Sequence, residues 1–152
     1  MKKSRTKLII FLTLSALILA FIFYNSSRTP AESNGTSEGI MTALLRFIDP
    51  KGKLDTGIVH YLIRKGAHFI EYLVYGACLC GAALAGQEMT GVFRGSLTLL
   101  AAMSSAVIDE TIQSFTGRTA SPRDIILDFC GAACGVLIAW LVSRSRKRRK
   151  KA

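Results

Sequence analysis

Apolar residues in this chain are grouped into four long blocks that polar stretches separate. The blocks lie at about residues 8–24, 61–86, 93–115 and 124–142. A helix needs about 20 mostly apolar residues to cross a bilayer, with a lower limit of about 17, so each block is long enough to cross. The pattern therefore predicts an all-α fold, a polytopic membrane helical bundle with four transmembrane helices.

The charge of the chain is concentrated in its two tails. The net charge is +10, and residues 2–7 and 144–151 hold eleven of the twenty basic residues. Because basic residues beside spans mark the cytoplasmic side, both tails are predicted to be cytoplasmic and to attract anionic lipid head groups. Four spans satisfy this arrangement, with residues 25–60 forming an extracytoplasmic loop, residues 116–123 also outside and residues 87–94 inside.

The high net charge of the chain does not indicate a nucleic-acid partner. Outside the tails, nine basic residues face ten acidic ones, so the middle of the chain is close to neutral. A nucleic-acid-binding domain carries its positive charge on a folded surface, and no soluble fold is available here to carry it. The sequence therefore predicts no nucleic-acid binding, and it leaves the oligomeric state open.

The first apolar block has two interpretations. The basic stretch in front of it resembles the n-region of a cleaved secretory signal peptide. The block is longer than a usual signal-peptide core, however, and it ends in the bulky residues Phe21, Phe23 and Tyr24. We therefore favour an uncleaved first span, and the sequence leaves cleavage open. If the block were cleaved, three spans would remain, with the C-terminus still inside.

The polar connection after the first span contains one short predicted helix. Residues 29–37 are rich in turn-forming types and are predicted to be flexible. Ser37 is a candidate N-cap of a helix that ends near Asp49. Apolar residues recur within it at helical spacing: Ile40, Leu44, Phe47 and Ile48. The helix is therefore predicted to lie on the membrane surface.

The cysteines do not form a zinc motif. All four lie inside apolar blocks: Cys78, Cys80, Cys130 and Cys134. Zinc sites place their ligands at loop or turn spacings, so these residues are interpreted as small packing residues. No metal and no cofactor is expected from them. The pattern from Gly131 to Gly135, small residues four positions apart, predicts close packing of the fourth span against another helix.

Ionisable residues lie near one end of three different spans. They are Arg64, Lys65, His68 and Glu71 in the second span, Asp109, Glu110 and Gln113 in the third, Asp124 and Asp128 in the fourth, and Arg118 and Arg123 in the connection between the last two. A helix rises 1.5 Å per residue, which places the intramembrane members within roughly 6–14 Å of the outer end. A charge that faces lipid costs about 2.5–3.5 kcal/mol at mid-depth, so these side chains are predicted to face one another or a wet cavity.

These motifs resemble the VanZ-like family, which is named after the accessory teicoplanin-resistance protein. The resemblance is carried by Arg64-Lys65-x-x-His68-Phe69-x-Glu71-Tyr72, Asp109-Glu110-x-x-Gln113, Arg118, Arg123-Asp124 and Asp128. It covers nearly the whole chain, and Tyr24-Asn-Ser-Ser27 is similar to a polar stretch of the family. The family pattern often has Asn a few residues after the last Asp, whereas Phe129, Cys130 and Gly131 follow here.

The resemblance implies one VanZ-like membrane domain over residues 1–152, in the bacterial cytoplasmic (inner) membrane, with several membrane passes. It also implies a link to the cell envelope and to antibiotic resistance of the teicoplanin type. It does not imply a reaction, and a shared family does not establish that this chain confers resistance.

Three functions are compatible with the polar cluster. In the first, Arg64, Lys65, Arg118 and Arg123 bind a lipid head group or cell-wall-related ligand at an outer-leaflet pocket that the acids and His68 shape. In the second, the cluster of His68, Glu71, Asp109 and Glu110 works as an acid–base or metal-dependent enzyme. In the third, the charges form a polar clasp that holds the helices together. The sequence leaves open whether the chain is an enzyme.

Overall fold

The described part of this chain forms five α-helices. The computed structural model describes residues 2–49, 54–118 and 121–149, apart from the side chains of Asn34, Thr36, Ser37, Ile40, Phe47 and Ile48. The helices are α1 Lys2–Ser26, α2 Pro30–Ile48, α3 Thr56–Thr90, α4 Gly95–Phe115 and α5 Pro122–Arg149. Within these described ranges there is no strand, so the all-α prediction is confirmed.

Three of the helices are long and apolar enough to cross a membrane. They are α1, α3 and α5, which contain the first, second and fourth predicted spans. Helix α4 coincides with the third predicted span and has 21 residues, but it includes Asp109 and Glu110 and is not among the three. The fold is therefore all-helical with three candidate spans, where the sequence predicted four.

The connection between α1 and α3 is more regular than predicted. Helix α2 begins at Pro30, so the stretch predicted to be flexible is largely helical, and Ser37 lies inside the helix. The N-cap is Thr29, whose hydroxyl accepts from the Glu32 backbone N–H, while the Glu32 carboxylate accepts from the Thr29 N–H at 3.0 Å. This capping box, with proline in the first turn, starts the helix, so the prediction of Ser37 as the N-cap is wrong.

The end of α2 agrees with the sequence. The helix stops at Ile48, and the C-cap is Asp49. Of the apolar side chains that predicted a position on the membrane surface, only Leu44 is described, and it is exposed. The remainder of that prediction lies outside the described side chains.

The long helices alternate in direction, which gives the bundle two distinct ends. At one end, Lys7 Nζ of α1 lies 3.0 Å from Glu88 Oε2 near the end of α3, and Arg146 of α5 lines the same pocket. We call this the tail end. At the other end, Asn25 Nδ2 near the end of α1 donates to Glu71 Oε1 of α3 at 3.1 Å. We call this the site end; the starts of α3 and α5 and the end of α4 meet there. Both basic tails therefore lie at the same end of the bundle.

Helices α3 and α5 run parallel and touch backbone to backbone. A Cβ atom added to Gly135 would overlap the carbonyl oxygen of Leu73, and one added to Gly131 would lie 2.5 Å from the carbonyl oxygen of Phe69. Only glycine leaves room for so close an approach. The predicted close packing through Gly131 and Gly135 is thus confirmed.

Aromatic and small residues fill the bundle beneath the site end. Tyr72 is fully buried, and its hydroxyl donates to the carbonyl oxygen of Ser105 at 3.2 Å. The hydroxyls of Tyr75 and Ser105 lie 3.0 Å apart in a second hydrogen bond. Ala102 and Ala106 of α4 pack in the same core. These bonds tie α3 to α4 directly below the charged residues.

Replacing Gly135 by alanine tests the close contact. We expect Gly135→Ala to lower the free energy of unfolding by about 1–3 kcal/mol, because the new methyl group must push the α3 backbone away. The measurement is thermal unfolding of the purified chain in detergent, followed by circular dichroism. Gly86→Ala in α3 is the matched control, because a Cβ there meets nothing within 4 Å. Equal stability of the two variants would show that the contact is not close.

Candidate functional site

The site end brings together residues from four helices and one loop. Ten of the eleven predicted site residues meet there, through the contacts and pocket walls described below: Arg64, Lys65, His68, Glu71, Asp109, Glu110, Gln113, Arg118, Asp124 and Asp128. Arg123 differs from them, because it is exposed on the first turn of α5 and does not line these pockets.

Two buried carboxylates and one histidine form the centre of the site. Asp109 of α4 and Asp128 of α5 are 0% and 1% exposed. His68 of α3 is mostly buried beside them, with its ring Nδ1 at 3.9 Å from Asp109 Oδ2. One potential ligand atom from each of the three residues lies within 4.8 Å of the others. Three separate helices thus converge on one small volume, as the helical spacing predicted.

A hydrogen-bond chain holds Asp109 in place. The Gln113 side-chain amide donates to Asp109 Oδ2 at 2.9 Å and to the Ser26 hydroxyl at 3.3 Å. Thr116, just after α4, donates to the backbone carbonyl of Ser26 at 3.3 Å. The end of α1 is therefore fastened to the end of α4, and Gln113 orients the carboxylate between them.

The other acids have partners of different kinds. Glu71 accepts from Asn25, so its partner belongs to α1. Glu110 Oε1 accepts from the backbone N–H of Ser121 in the loop before α5. Asp124 Oδ1 forms an ion pair with Lys65 Nζ at 2.5 Å, and both side chains are partly exposed. These contacts join neighbouring helices at the rim of the site.

Several buried polar atoms at the centre have no hydrogen-bond partner within the described residues. They are His68 Nδ1, Asp109 Oδ1, Glu110 Oε2, Arg118 Nε and both carboxylate oxygens of Asp128. More than about 90% of buried polar groups in folded proteins are hydrogen-bonded, so a cluster of this kind needs an explanation. Protons, waters or a bound ligand are the species that satisfy such atoms.

Arg64 and Arg118 form the basic wall of the site. Both side chains line a narrow space of about 10 Å³ next to His68, a pocket of about 250 Å³ on the α1 side, and a pocket of about 350 Å³ toward α5. Burial lowers the pKa of the Arg118 guanidinium, and the positive charge of Arg64 lowers it further. A guanidinium nevertheless stays charged at neutral pH, so two positive charges face each other across these spaces.

The pocket on the α1 side is amphipathic. Its apolar wall contains Phe21, Ile63 and Ala67. Its polar wall consists of Asn25, Arg28, Ser33, Arg64, His68, Glu71 and Arg118. Phe21 is 56% exposed on the outer face of α1, so the apolar wall continues to the surface of the bundle.

Three contacts of the site were not predicted from the sequence. Asn25, Ser26 and Ser121 contact Glu71, Gln113 and Glu110, respectively. The signal for the first two was the polar run that directly follows the apolar block of α1. Ser121 had no comparable signal, because its contact is made by the backbone.

The arrangement has two layers with opposite chemistry. The inner layer contains buried carboxylates and an imidazole, which are ligands for protons or for cations. The outer layer contains two guanidinium groups, which are suited to phosphate or carboxylate. The site can therefore hold a positive species inside and a negative group at its mouth.

Comparison with known proteins identifies the family. The family model described as VanZ/LLP1 matches residues 11–143, which is most of the chain and runs from α1 into α5. Neither curated proteins nor solved structures contain a significant match. The resemblance inferred from the motifs is confirmed, and the chain belongs to the VanZ/LLP1 family.

Proposed function

We propose that this chain is a multi-pass protein of the bacterial cytoplasmic membrane that binds an anionic lipid or a cell-wall-related amphiphile at the site end, which faces outward. Binding there contributes to tolerance of glycopeptides of the teicoplanin type. The observation that carries the proposal is the pair Arg64 and Arg118, which lines three pockets at the site end, one of them together with apolar residues of α1 and α3.

The two arginines favour an anionic ligand. Two guanidinium groups that line the same partly buried pockets attract a negatively charged group. The buried Nε of Arg118 has no hydrogen-bond acceptor within the described residues, so a phosphate or carboxylate oxygen would supply one. Guanidinium groups bind both kinds of anion through paired hydrogen bonds.

The apolar wall favours an amphiphile over a soluble anion. The pocket of about 250 Å³ is smaller than the roughly 300–1,000 Å³ of a typical small-molecule site. Such a volume suits a head group whose hydrocarbon chain remains in the bilayer. Phe21, exposed on α1, lies where that chain would leave the pocket.

The acids shape the ligand preference in this proposal. Glu71 lines the same pocket, where Asn25 holds its carboxylate. A carboxylate beside two guanidinium groups accepts hydrogen bonds from hydroxyl or amine groups of a ligand. The pocket therefore favours a head group with an anionic centre next to a hydrogen-bond donor, as in sugar phosphates. His68, Asp109 and Asp128 position this wall from below.

The surface of α4 supports a fourth crossing. Its 21 residues give a length of about 30 Å, which equals the hydrocarbon thickness. Asp109, Glu110 and Gln113 are buried in the bundle. The exposed large apolar residues of α4 include Leu97, Leu100, Val107 and Ile108. The outward face of α4 is thus apolar, although the buried acids lower the mean hydropathy of the whole helix.

The positions of the tails support the proposed orientation. Both basic tails lie at the tail end. A chain has both termini on the same side of a membrane only when it crosses the membrane an even number of times. Basic residues beside spans favour the cytoplasmic side, so we propose that the tail end is cytoplasmic and contacts anionic lipids. The site end then faces the outer leaflet.

Cysteine labelling tests this topology. In a chain whose four native cysteines are replaced by alanine, we expect Phe115→Cys, at the end of α4, to react with a membrane-impermeant maleimide in intact cells, because this position is exposed at the site end. Val92→Cys, in the connection before α4, should react only after the membrane is permeabilised. Reaction with permeabilised cells is the control for accessibility of each thiol. Labelling of both positions in intact cells would contradict a fourth crossing.

Removing one guanidinium tests ligand binding. We expect Arg118→Gln to weaken binding of a long-chain polyprenyl phosphate to the purified protein by about tenfold or more, since a charge-assisted hydrogen bond is worth about 1.5–3 kcal/mol. The measurement is native mass spectrometry in detergent, with uncharged polyprenol and phosphatidylglycerol as comparison ligands. Arg46→Gln in α2 is the control, because Arg46 is exposed and does not line these pockets. Equal binding of polyprenyl phosphate and polyprenol would contradict the proposal.

Drug tolerance in cells tests the physiological part of the proposal. We expect expression of the chain to raise the minimal inhibitory concentration of teicoplanin, and Arg118→Gln to remove that increase while membrane abundance is unchanged. Arg46→Gln should behave as the parent chain. An Arg118→Gln variant whose tolerance and abundance fall together would instead support the clasp interpretation.

A further inference from the structure

His68, Asp109 and Asp128 have the geometry of a metal-ion site. Their potential ligand atoms lie within 4.8 Å of one another, and His68 Nδ1 lies 3.9 Å from Asp109 Oδ2. Two ligands that share an ion through bonds of about 2.1 Å are at most about 4.2 Å apart. Small side-chain rotations would therefore bring all three groups within coordination distance of one ion.

The unpartnered atoms point into the same volume. Asp128 is 1% exposed, and neither of its carboxylate oxygens has a hydrogen-bond partner within the described residues. Asp109 Oδ1 and His68 Nδ1 have none there either. Ionised carboxylates without partners cost several kcal/mol each in a low-dielectric interior, so a positive species is needed to keep them ionised.

Within the described residues, the carboxylate oxygens of Asp128 accept no hydrogen bond from a protein cation. Lys65 is engaged with Asp124 at the rim, and His68 Nδ1 is too far from Asp109 for a hydrogen bond. One imidazolium would in any case offset only one of the two carboxylates. A divalent cation offsets both, and its bonds use the atoms that are otherwise without partners.

The surroundings resemble the support of a metal centre. Gln113 donates to Asp109 and fixes the orientation of its carboxylate, as outer residues do around metal ligands. The space of about 10 Å³ against His68 and Asp128 is close to the size that one water needs as a further ligand. One imidazole nitrogen with two carboxylates suits Mn²⁺, Fe²⁺ or Zn²⁺ better than Ca²⁺ or Mg²⁺, which prefer oxygen alone.

We propose that His68, Asp109 and Asp128 bind one divalent transition-metal ion. The sequence analysis expected no metal site and kept metal-dependent chemistry at His68, Glu71, Asp109 and Glu110 only as an alternative. The site lies beneath the basic wall of Arg64 and Arg118, so a bound ion faces the position of a ligand phosphate. The test of metal binding is independent of the test of the proposed function, because the ion can be measured without any lipid ligand.

Metal titration of the purified full chain tests the proposal. After treatment with EDTA and dialysis against Mn²⁺ or Zn²⁺ alone, we expect one ion per chain by mass spectrometry of the metal. Pulsed electron paramagnetic resonance of bound Mn²⁺ should show coupling to an imidazole nitrogen. Asp128→Asn, which keeps the size of the side chain, should weaken Mn²⁺ binding by about tenfold or more.

The control is Glu88→Gln at the tail end of α3, which removes a carboxylate far from the three proposed ligands and should retain the ion. Helix content and a single elution peak establish that each variant is folded. A folded parent chain that binds neither ion, or an Asp128→Asn variant that binds Mn²⁺ as the parent does, would overturn the proposal. Retention of polyprenyl phosphate by EDTA-treated protein would leave the proposed function intact in either case.

Discussion

The backbone contact between α3 and α5 determines how the charged residues are arranged. Because Gly131 and Gly135 let α5 lie directly on α3, the preceding turn of α5 is also close to α3. Asp128 is three residues before Gly131, so its side chain is buried next to His68 and away from lipid. The same contact sets the register that pairs Lys65 with Asp124 at the rim. A wider separation of these helices would expose these carboxylates to lipid or water.

The opposite charges of the two layers depend on each other. Hydrocarbon is a poor solvent for ions, so an acidic centre inside the bundle needs a positive species close by. Arg64 and Arg118 supply positive charge at the mouth. Arg118 belongs to the short loop after α4, where its backbone N–H donates to the carbonyl oxygen of Gln113 at 3.2 Å. The bundle therefore presents basic groups to an approaching anion while the acids act from below. The affinity for an anion and the affinity for an inner cation should thus rise together. An inner cation reduces the repulsion between the acids and the anion, and a bound anion reduces the repulsion between the arginines and the cation.

The sequence predicted the helices and the site better than the contacts between them. Long apolar blocks mark α1, α3, α4 and α5, and helical spacing placed His68, Asp109 and Asp128 at one end because depth follows from the rise per residue. Composition suggested flexibility after Thr29, but the capping box with Glu32 outweighs it. The bond from Asn25 to Glu71 and the contact of Asp128 with His68 depend on how whole helices are rotated. That rotation is set by packing across the bundle, which local patterns do not contain.

A purely structural clasp explains only part of the cluster. Glu71 with Asn25, Gln113 with Ser26, and Glu110 with Ser121 each connect two elements, as a clasp requires. Asp128 connects nothing, because both of its carboxylate oxygens are buried without a hydrogen-bond partner in the described part of the chain. A leucine or asparagine at that position would pack with a smaller desolvation cost, so stability alone does not account for an aspartate. The residue that a clasp explains least is therefore the one that points most directly to a bound species.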